Sequence, residues 1–179
     1  TDSMTSLKRL TCLVVLLFTA ALGGPASGAE RHVVVISIDG LPAYLLDDPQ
    51  ASLPVLRSLI ARGAVAKAGM GVSNPSVTWP NHTTLMSGVH PETHGVLYNG
   101  LPERQGKGKP TRISPNRTQS DLVRVPLLFD VLKEAGKTSA AINWPCTTGS
   151  TSLIANMPDA PGELDHTTPA LKDELAKAG

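Results

Sequence analysis

Aromatic side chains are scarce in this chain of 179 residues, Phe, Trp and Tyr together making up 3%. A core is therefore expected to be built mainly from Val, Leu, Ile and Ala. Charge is thin as well, at 17%, and its two signs nearly cancel to a formal +1. That balance gives no bulk electrostatic pull towards nucleic acid or an anionic membrane. Cysteine occurs only at Cys12 and Cys146. Cys12 lies in the targeting segment described next, so Cys146 has no intrachain disulfide partner in the remaining sequence. The apolar run Leu10 to Leu22 is thirteen residues long, too short to span a bilayer. No repeat appears at solenoid periods. With 41% hydrophobic residues, what remains is the composition of one globular domain.

The N-terminus reads as a leader. Thr1-Asp2-Ser3 before Met4 looks like upstream sequence or a ragged start. Lys8 and Arg9 form a basic region ahead of the apolar run, and Gly23 to Ala29 supplies small residues suited to cleavage after Ala29. Residues 1–29 are thus expected to be a signal peptide with upstream residues, and residues 30–179 an exported domain, periplasmic or secreted. An uncleaved anchor is the alternative; otherwise the membrane is met only through the signal before cleavage. Lys8, Arg9 and Asp2 leave with the leader, so sixteen basic and fifteen acidic residues fall to fourteen of each.

His32-Val33-Val34-Val35-Ile36-Ser37-Ile38 is a β-branched run with little polar alternation, the pattern of a strand covered on both faces. It ends in Asp39-Gly40, where an acidic residue could hold a metal at a strand's carboxyl end or simply form a turn. Leu53 to Arg62 predicts a helix stopped by Gly63, and Ala64 to Met70 a second strand. A helix from Pro126, with Leu127, Leu128, Val131 and Leu132 inward, is stopped by Gly136. Lys137 to Asn143 predicts the next strand, with Trp144 after it lining a pocket or covering the core. Met157 to Pro161 reads as loop and Pro169 to Ala178 as helix. The alternation predicts a layered α/β domain, and the sequence stops where another strand is expected, as a truncated domain would.

The chemistry-bearing stretch is Asn74-Pro75-Ser76-Val77-Thr78-Trp79-Pro80-Asn81-His82-Thr83-Thr84-Leu85. It reads as a loop delivering Thr78 to a helix start, with Pro80 where a missing N–H costs nothing and Gly88 as the stop. The Thr78 hydroxyl would then lie beside unpaired N–H groups that suit a phosphate, unless it merely caps the helix. His90 and His94 have a metal-like spacing, opposed by Pro91 and Gly95 between and after them. Asn99 before Gly100 makes an ordinary turn, or aims an amide at a negative oxygen. Residues 101–125 are an expected exposed excursion; Arg104, Lys107, Lys109 and Arg112 could meet a phosphate-bearing substrate or only solvent. Asp165-His166 has no supporting pattern around it. Asn81-His82-Thr83 and Asn116-Arg117-Thr118 fit the glycosylation pattern, the first of them inside the candidate site.

Three segments together resemble the type I phosphodiesterase/nucleotide pyrophosphatase family of the alkaline phosphatase superfamily: Val34 to Gly40, Thr78 to His82, and His94-Gly95-Val96-Leu97-Tyr98-Asn99. Their spacing matches too, with 39 residues from Asp39 to Thr78 and 21 from Thr78 to Asn99, and Asn143-Trp144-Pro145 is also similar. The resemblance covers most of residues 31–179 and the N-terminal part of that family's catalytic domain. It implies an α/β fold, layered α/β/α with a mostly parallel central sheet, alkaline phosphatase-like. It implies two Zn2+, with Asp39 on one of them and Thr78 as the nucleophile touching that metal. Asn99 would hydrogen-bond a phosphoryl oxygen, and Trp79 would stand where an aromatic residue packs against substrate.

The family's other ligands would lie downstream of residue 179. The implied activity is hydrolysis of phosphodiester or pyrophosphate bonds in a small-molecule substrate such as a nucleotide, through a phospho-threonine intermediate. Metal activation suits a Thr hydroxyl, a weak nucleophile by itself. One Asp and one Thr cannot hold two zinc ions, so this stretch alone is expected to be inactive. The alternatives are a phosphomonoesterase or phosphonoacetate hydrolase of the same superfamily, or a secreted binding protein without catalysis. A sulfatase is disfavoured, because no Cys-x-Pro-x-Arg pattern occurs.

Overall fold

The computed structural model describes residues 31–178. The expected signal peptide, residues 1–29, lies outside the described residues. The chain divides after Ile38, and the elements that follow all belong to the part from Asp39 onward.

These are helices α1 (Tyr44–Asp47), α2 (Pro54–Arg62), α3 (Thr78–Ser87) and α4 (Pro91–His94), then strands β1 (Leu101–Glu103) and β2 (Arg112–Ser114). Helices α5 (Gln119–Leu122) and α6 (Leu128–Glu134) lead to strands β3 (Ala140–Pro145) and β4 (Ala155–Asp159). Helices α7 (Glu163–His166) and α8 (Pro169–Ala178) end the described chain. The arrangement is mixed α/β with a small parallel sheet. β3 and β4 pair in parallel, and β1 and β2 form an antiparallel hairpin with Leu101 opposite Ser114.

Two expected strands are not formed. Residues 32–38 are irregular, with Val33 88% and Ile36 77% exposed. A β-branched run is a preference for a pleated, half-buried surface and gains no ladder by itself. Ala64 to Met70 is also irregular: Gly69 turns the chain at φ +73°, its N–H donating to the Ala66 carbonyl at 2.9 Å. Met157-Pro158-Asp159, expected as loop, lies instead in β4. Pro158 is tolerated there because the pairing is irregular: the register steps from Ile142 opposite Met157 to Trp144 opposite Pro158. The extra residue is Asn143, at φ +52°, and Asn is among the few side chains that visit this left-handed region readily.

The core gathers around α3, α6 and β3. One cluster comprises Met86, Leu127, Phe129, Ala141, Trp144 and Leu153; a second comprises Trp79, Val96, Leu122 and Cys146, and Val123 packs against both. Both tryptophans and Phe129 are therefore core residues, beside the aliphatic side chains Val96, Leu122, Leu127, Ala141 and Leu153. Trp144 covers the core, edge-on to Phe129 with ring centroids 6.4 Å apart. At α6 the inward residues are Leu127, which precedes the helix, and Phe129, whereas Leu128 and Val131, expected inward, face solvent. The helix starts after Leu127, whose N–H donates to Asp130 Oδ2 at 2.7 Å, so the chain enters the helix with Leu127 pointing inward.

Candidate active site

Helix α3 begins and ends as its sequence predicts. Pro80 is the third helical residue, where an N–H has no intrahelical acceptor. Gly88 ends the helix at φ +71°, its N–H donating to the Thr84 carbonyl at 2.9 Å. The N-cap position falls on Val77, in extended conformation and with no side-chain cap. Thr78 is thus the first helical residue and is not the cap. Its Oγ1 hydroxyl instead donates to Asp39 Oδ2 at 2.7 Å. Asp39 is exposed and sits in a turn with Gly40 at φ +70°, so the turn-former and the carboxylate that meets Thr78 are the same residue.

Asn99 reaches the same helix start. Its Oδ1 accepts the Trp79 backbone N–H at 2.8 Å. A backbone N–H can only donate, so the facing atom of the amide is the oxygen, and the two Nδ2 donors point elsewhere. Asp39, Thr78 and Asn99, far apart in the chain, are therefore brought together around two consecutive residues of α3. A carboxylate, a hydroxyl and an oriented amide donor are the groups that can position a phosphoryl oxygen and an attacking oxygen.

Trp79 points the other way. Its indole is 5% exposed in the second core cluster, and its Nε1–H donates to Asp159 Oδ2 at 3.0 Å. It roots the first turn of α3 in the core; only a sliver of the ring is left for any other contact. Asp159 had no distinguishing signal in the sequence beyond a loop-like setting.

Asn81, noted in the sequence only within a glycosylation pattern and the Thr78 to His82 segment, has a structural task there. Its Oδ1 accepts from the Ser73 N–H at 2.7 Å and from Ser73 Oγ at 3.1 Å. Its Nδ2 donates to the Pro75 carbonyl at 3.1 Å and the Val77 carbonyl at 2.9 Å. Four bonds from one side chain fasten the loop 73–77 to the helix it feeds. The sequence signal was there in principle, an Asn in the first turn after a Pro-containing loop, since short amides commonly bond neighbouring backbone. One turn from Thr78, His82 Nδ1–H donates to the Thr78 carbonyl at 2.8 Å, and the ring lies edge-on to Trp144 at 5.2 Å.

The histidine pair is not a metal site. His90 is exposed, while His94 is 0% exposed at the end of α4. Val96 N–H donates to His94 Nδ1 at 3.1 Å, so the ring proton sits on Nε2, which donates to Thr84 Oγ1 at 3.0 Å. Burial holds this ring below its ordinary value of 6.5, in keeping with a neutral ring that ties α4 to α3. Asp165 and His166 are both exposed on α7. Cys146 is buried without a disulfide, and desolvation pushes its thiol up to about 12.

Among the described residues, no three His, Cys, Asp or Glu side chains gather into a possible metal site. Asp39 and Thr78 do fit a hard or borderline cation as two convergent oxygen donors. They are half of the four ligands that tetrahedral zinc takes. No described helix is long and apolar enough to cross a membrane.

The model of the type I phosphodiesterase / nucleotide pyrophosphatase family matches residues 33–174. The chain belongs to that family. It is 34% identical over 99 residues to an uncharacterized pyrophosphatase/phosphodiesterase of Schizosaccharomyces pombe, covering 54% of this chain and 20% of that protein. It is 35% identical over 77 residues to ectonucleotide pyrophosphatase/phosphodiesterase family member 3 of Rattus norvegicus, covering 43% of this chain and 9% of that one. With venom phosphodiesterase 2 of Crotalus adamanteus it shares 31% identity over 77 residues, again 43% and 9% of the two chains. The matched stretch thus spans a fifth or less of these relatives. No solved structure matches the chain.

Proposed function

We propose that this chain is the N-terminal part, residues 30–179, of the catalytic domain of an exported, metal-dependent hydrolase of phosphodiester or pyrophosphate bonds. The observation that carries the reading is the Thr78 hydroxyl on Asp39 at 2.7 Å, beside Asn99 at the start of α3. Family membership supports it, since the matched residues 33–174 include all three.

In this reading Thr78 Oγ attacks phosphorus and the leaving group departs, giving a phospho-threonine that water then hydrolyses. Asp39 holds the hydroxyl in place before attack. The Nδ2 donors of Asn99 oppose negative charge growing on a phosphoryl oxygen. Asn81 fixes the loop that aims Thr78, and Trp79 anchors the turn from below. Two zinc ions are the proposed cofactors, with Asp39 and Thr78 on one of them and the remaining ligands contributed by sequence outside this stretch. When bound, zinc would stabilise the ionised hydroxyl and activate water for the second step. The proposed whole is an alkaline phosphatase-like α/β/α domain around a mostly parallel sheet. Its substrate is a small phosphodiester or nucleotide, and its place is the periplasm or the extracellular medium, reached by the leader at residues 1–29.

The test uses the full-length protein without its leader, assayed on bis(4-nitrophenyl) phosphate and on 4-nitrophenyl phosphate. Diester cleavage that needs zinc, stops on chelation and falls at least a thousandfold in Thr78→Ala is expected. Preference for the monoester would instead make it a phosphatase of the same superfamily. Turnover unaffected by Thr78→Ala would overturn the assignment of the nucleophile.

A further inference from the structure

One surface outside the site carries charge of a single sign. From Arg104 to Ser120 there is no acidic residue, and Arg104, Lys107, Lys109 and Arg112 are all exposed. Glu103, the carboxylate at the start of this arm, is already bonded to Arg117. That is the one ion pair among the described residues, so the other four cations have no anionic partner there. Outside residues 104–120 the sequence carries eleven basic and fifteen acidic residues, so the arm is the basic segment of a chain that is otherwise net negative.

The arm is also rooted at the site. Asn99 is followed directly by Gly100 and β1, and Leu101 packs against the cluster containing Trp79 and Val96. Gly100 sits at φ +127°, where a side chain would come within 2.8 Å of the Ser114 carbonyl oxygen. The two strands therefore close tightly at the end nearest Asn99, while the cations lie at the far end. At about 3.3 Å per residue, Arg104 stands within roughly 17 Å of Asn99. That span can exceed one Debye length at 0.1 M salt, about 10 Å, so the arm's field at the reacting phosphoryl is largely screened and the arm acts by meeting the further charges of a substrate long enough to reach it.

We propose that Arg104, Lys107, Lys109 and Arg112 are specificity residues that take up the additional negative charge of a substrate carrying anionic groups beyond the reacting phosphoryl. The proposal rests on the phosphoryl-transfer reading of Thr78, Asp39 and Asn99. Simple exposure already solvates these side chains, so the decisive property is selectivity: polyanions should feel the arm and singly charged diesters should not.

Two variants of the zinc-loaded full-length protein test this, Lys107→Gln/Lys109→Gln in the loop and the same pair with Arg104→Gln and Arg112→Gln. Inorganic tripolyphosphate is titrated calorimetrically, and KM is measured for ATP and for bis(4-nitrophenyl) phosphate. Tripolyphosphate affinity should fall about threefold in the double variant and about tenfold in the quadruple. KM for ATP should rise in parallel at unchanged kcat, with the diester KM moving less than twofold. Unchanged tripolyphosphate affinity overturns the proposal, as does an equal rise in KM for both substrates. Loss of binding to phosphatidylglycerol vesicles with tripolyphosphate affinity intact would give the arm to a membrane surface, and overturns it too. If the wild type turns over neither substrate, the Thr78 reading fails while the tripolyphosphate titration still decides the arm.

Discussion

The most informative single residue is Asn99, because its two amide ends have separate tasks. Oδ1 holds the Trp79 N–H at 2.8 Å, and in the proposed mechanism Nδ2 is the end that meets substrate. Asn99→Asp keeps an acceptor for Trp79 and swaps the donor for negative charge. The expected outcome is an unchanged thermal midpoint with kcat lowered about 100- to 1000-fold, the loss typical of removing one oxyanion donor. A matched loss of folding and activity would mean that Asn99 only supports the helix start. His94 makes a different prediction, one of pH. Its folded ring is held below 6.5 by burial, so above that value the ring is neutral folded or unfolded and stability is complete. As pH falls below 6.5 the unfolded chain takes up a proton first, and stability declines towards the lower folded value. Urea midpoints should therefore drop between pH 7 and 5, and His94→Gln should flatten that slope.

At the scale of elements, the loop before α3 hangs on Asn81. Asn81→Ala removes four hydrogen bonds and leaves the Ser73 N–H in a part-buried place without its acceptor. At about 1 kcal/mol per net bond, the loss is about 2–4 kcal/mol, read by chemical unfolding, with turnover reduced because Thr78 is no longer aimed. The start and stop of α3, the extent of α2 and α8 and the place of β3 were legible, because capping Gly, early Pro and apolar spacing act within a few residues. Strands were less so. The runs at 32–38 and 64–70 have the composition of strands, but a strand exists only with a partner, and composition does not name one. β4 was hidden by Pro158, which a bulge at Asn143 accommodates. The three candidate residues that meet at the start of α3, Asp39, Thr78 and Asn99, were legible as residue types and as a resemblance; the direction of Trp79 was not, since an indole beside a candidate nucleophile reads the same whether it faces substrate or core.

For the molecule as a whole, the limiting quantity is the number of metal ligands. Zinc sites close with four donors, and the described residues offer two that converge, Asp39 and Thr78, with no cluster of three acidic, His or Cys side chains. His94 cannot be recruited, since both ring nitrogens are bonded inside the protein at 3.0 and 3.1 Å. Cys146 would have to give up a thiol proton from a buried position that pushes it up to about 12. His90, Asp165 and His166 are exposed but stand apart from any third donor. Two oxygen ligands without further support leave a cation largely hydrated and weakly held. The polypeptide 30–179, prepared alone, should therefore retain much less than two zinc ions per chain after dialysis, measured by plasma emission. It should not cleave bis(4-nitrophenyl) phosphate, even though Thr78 and Asn99 are in place. Two tightly held zinc ions with zinc-dependent turnover in that polypeptide would mean that ligands within residues 30–179 move together on binding, and the proposal that the remaining ligands lie outside this stretch would be wrong.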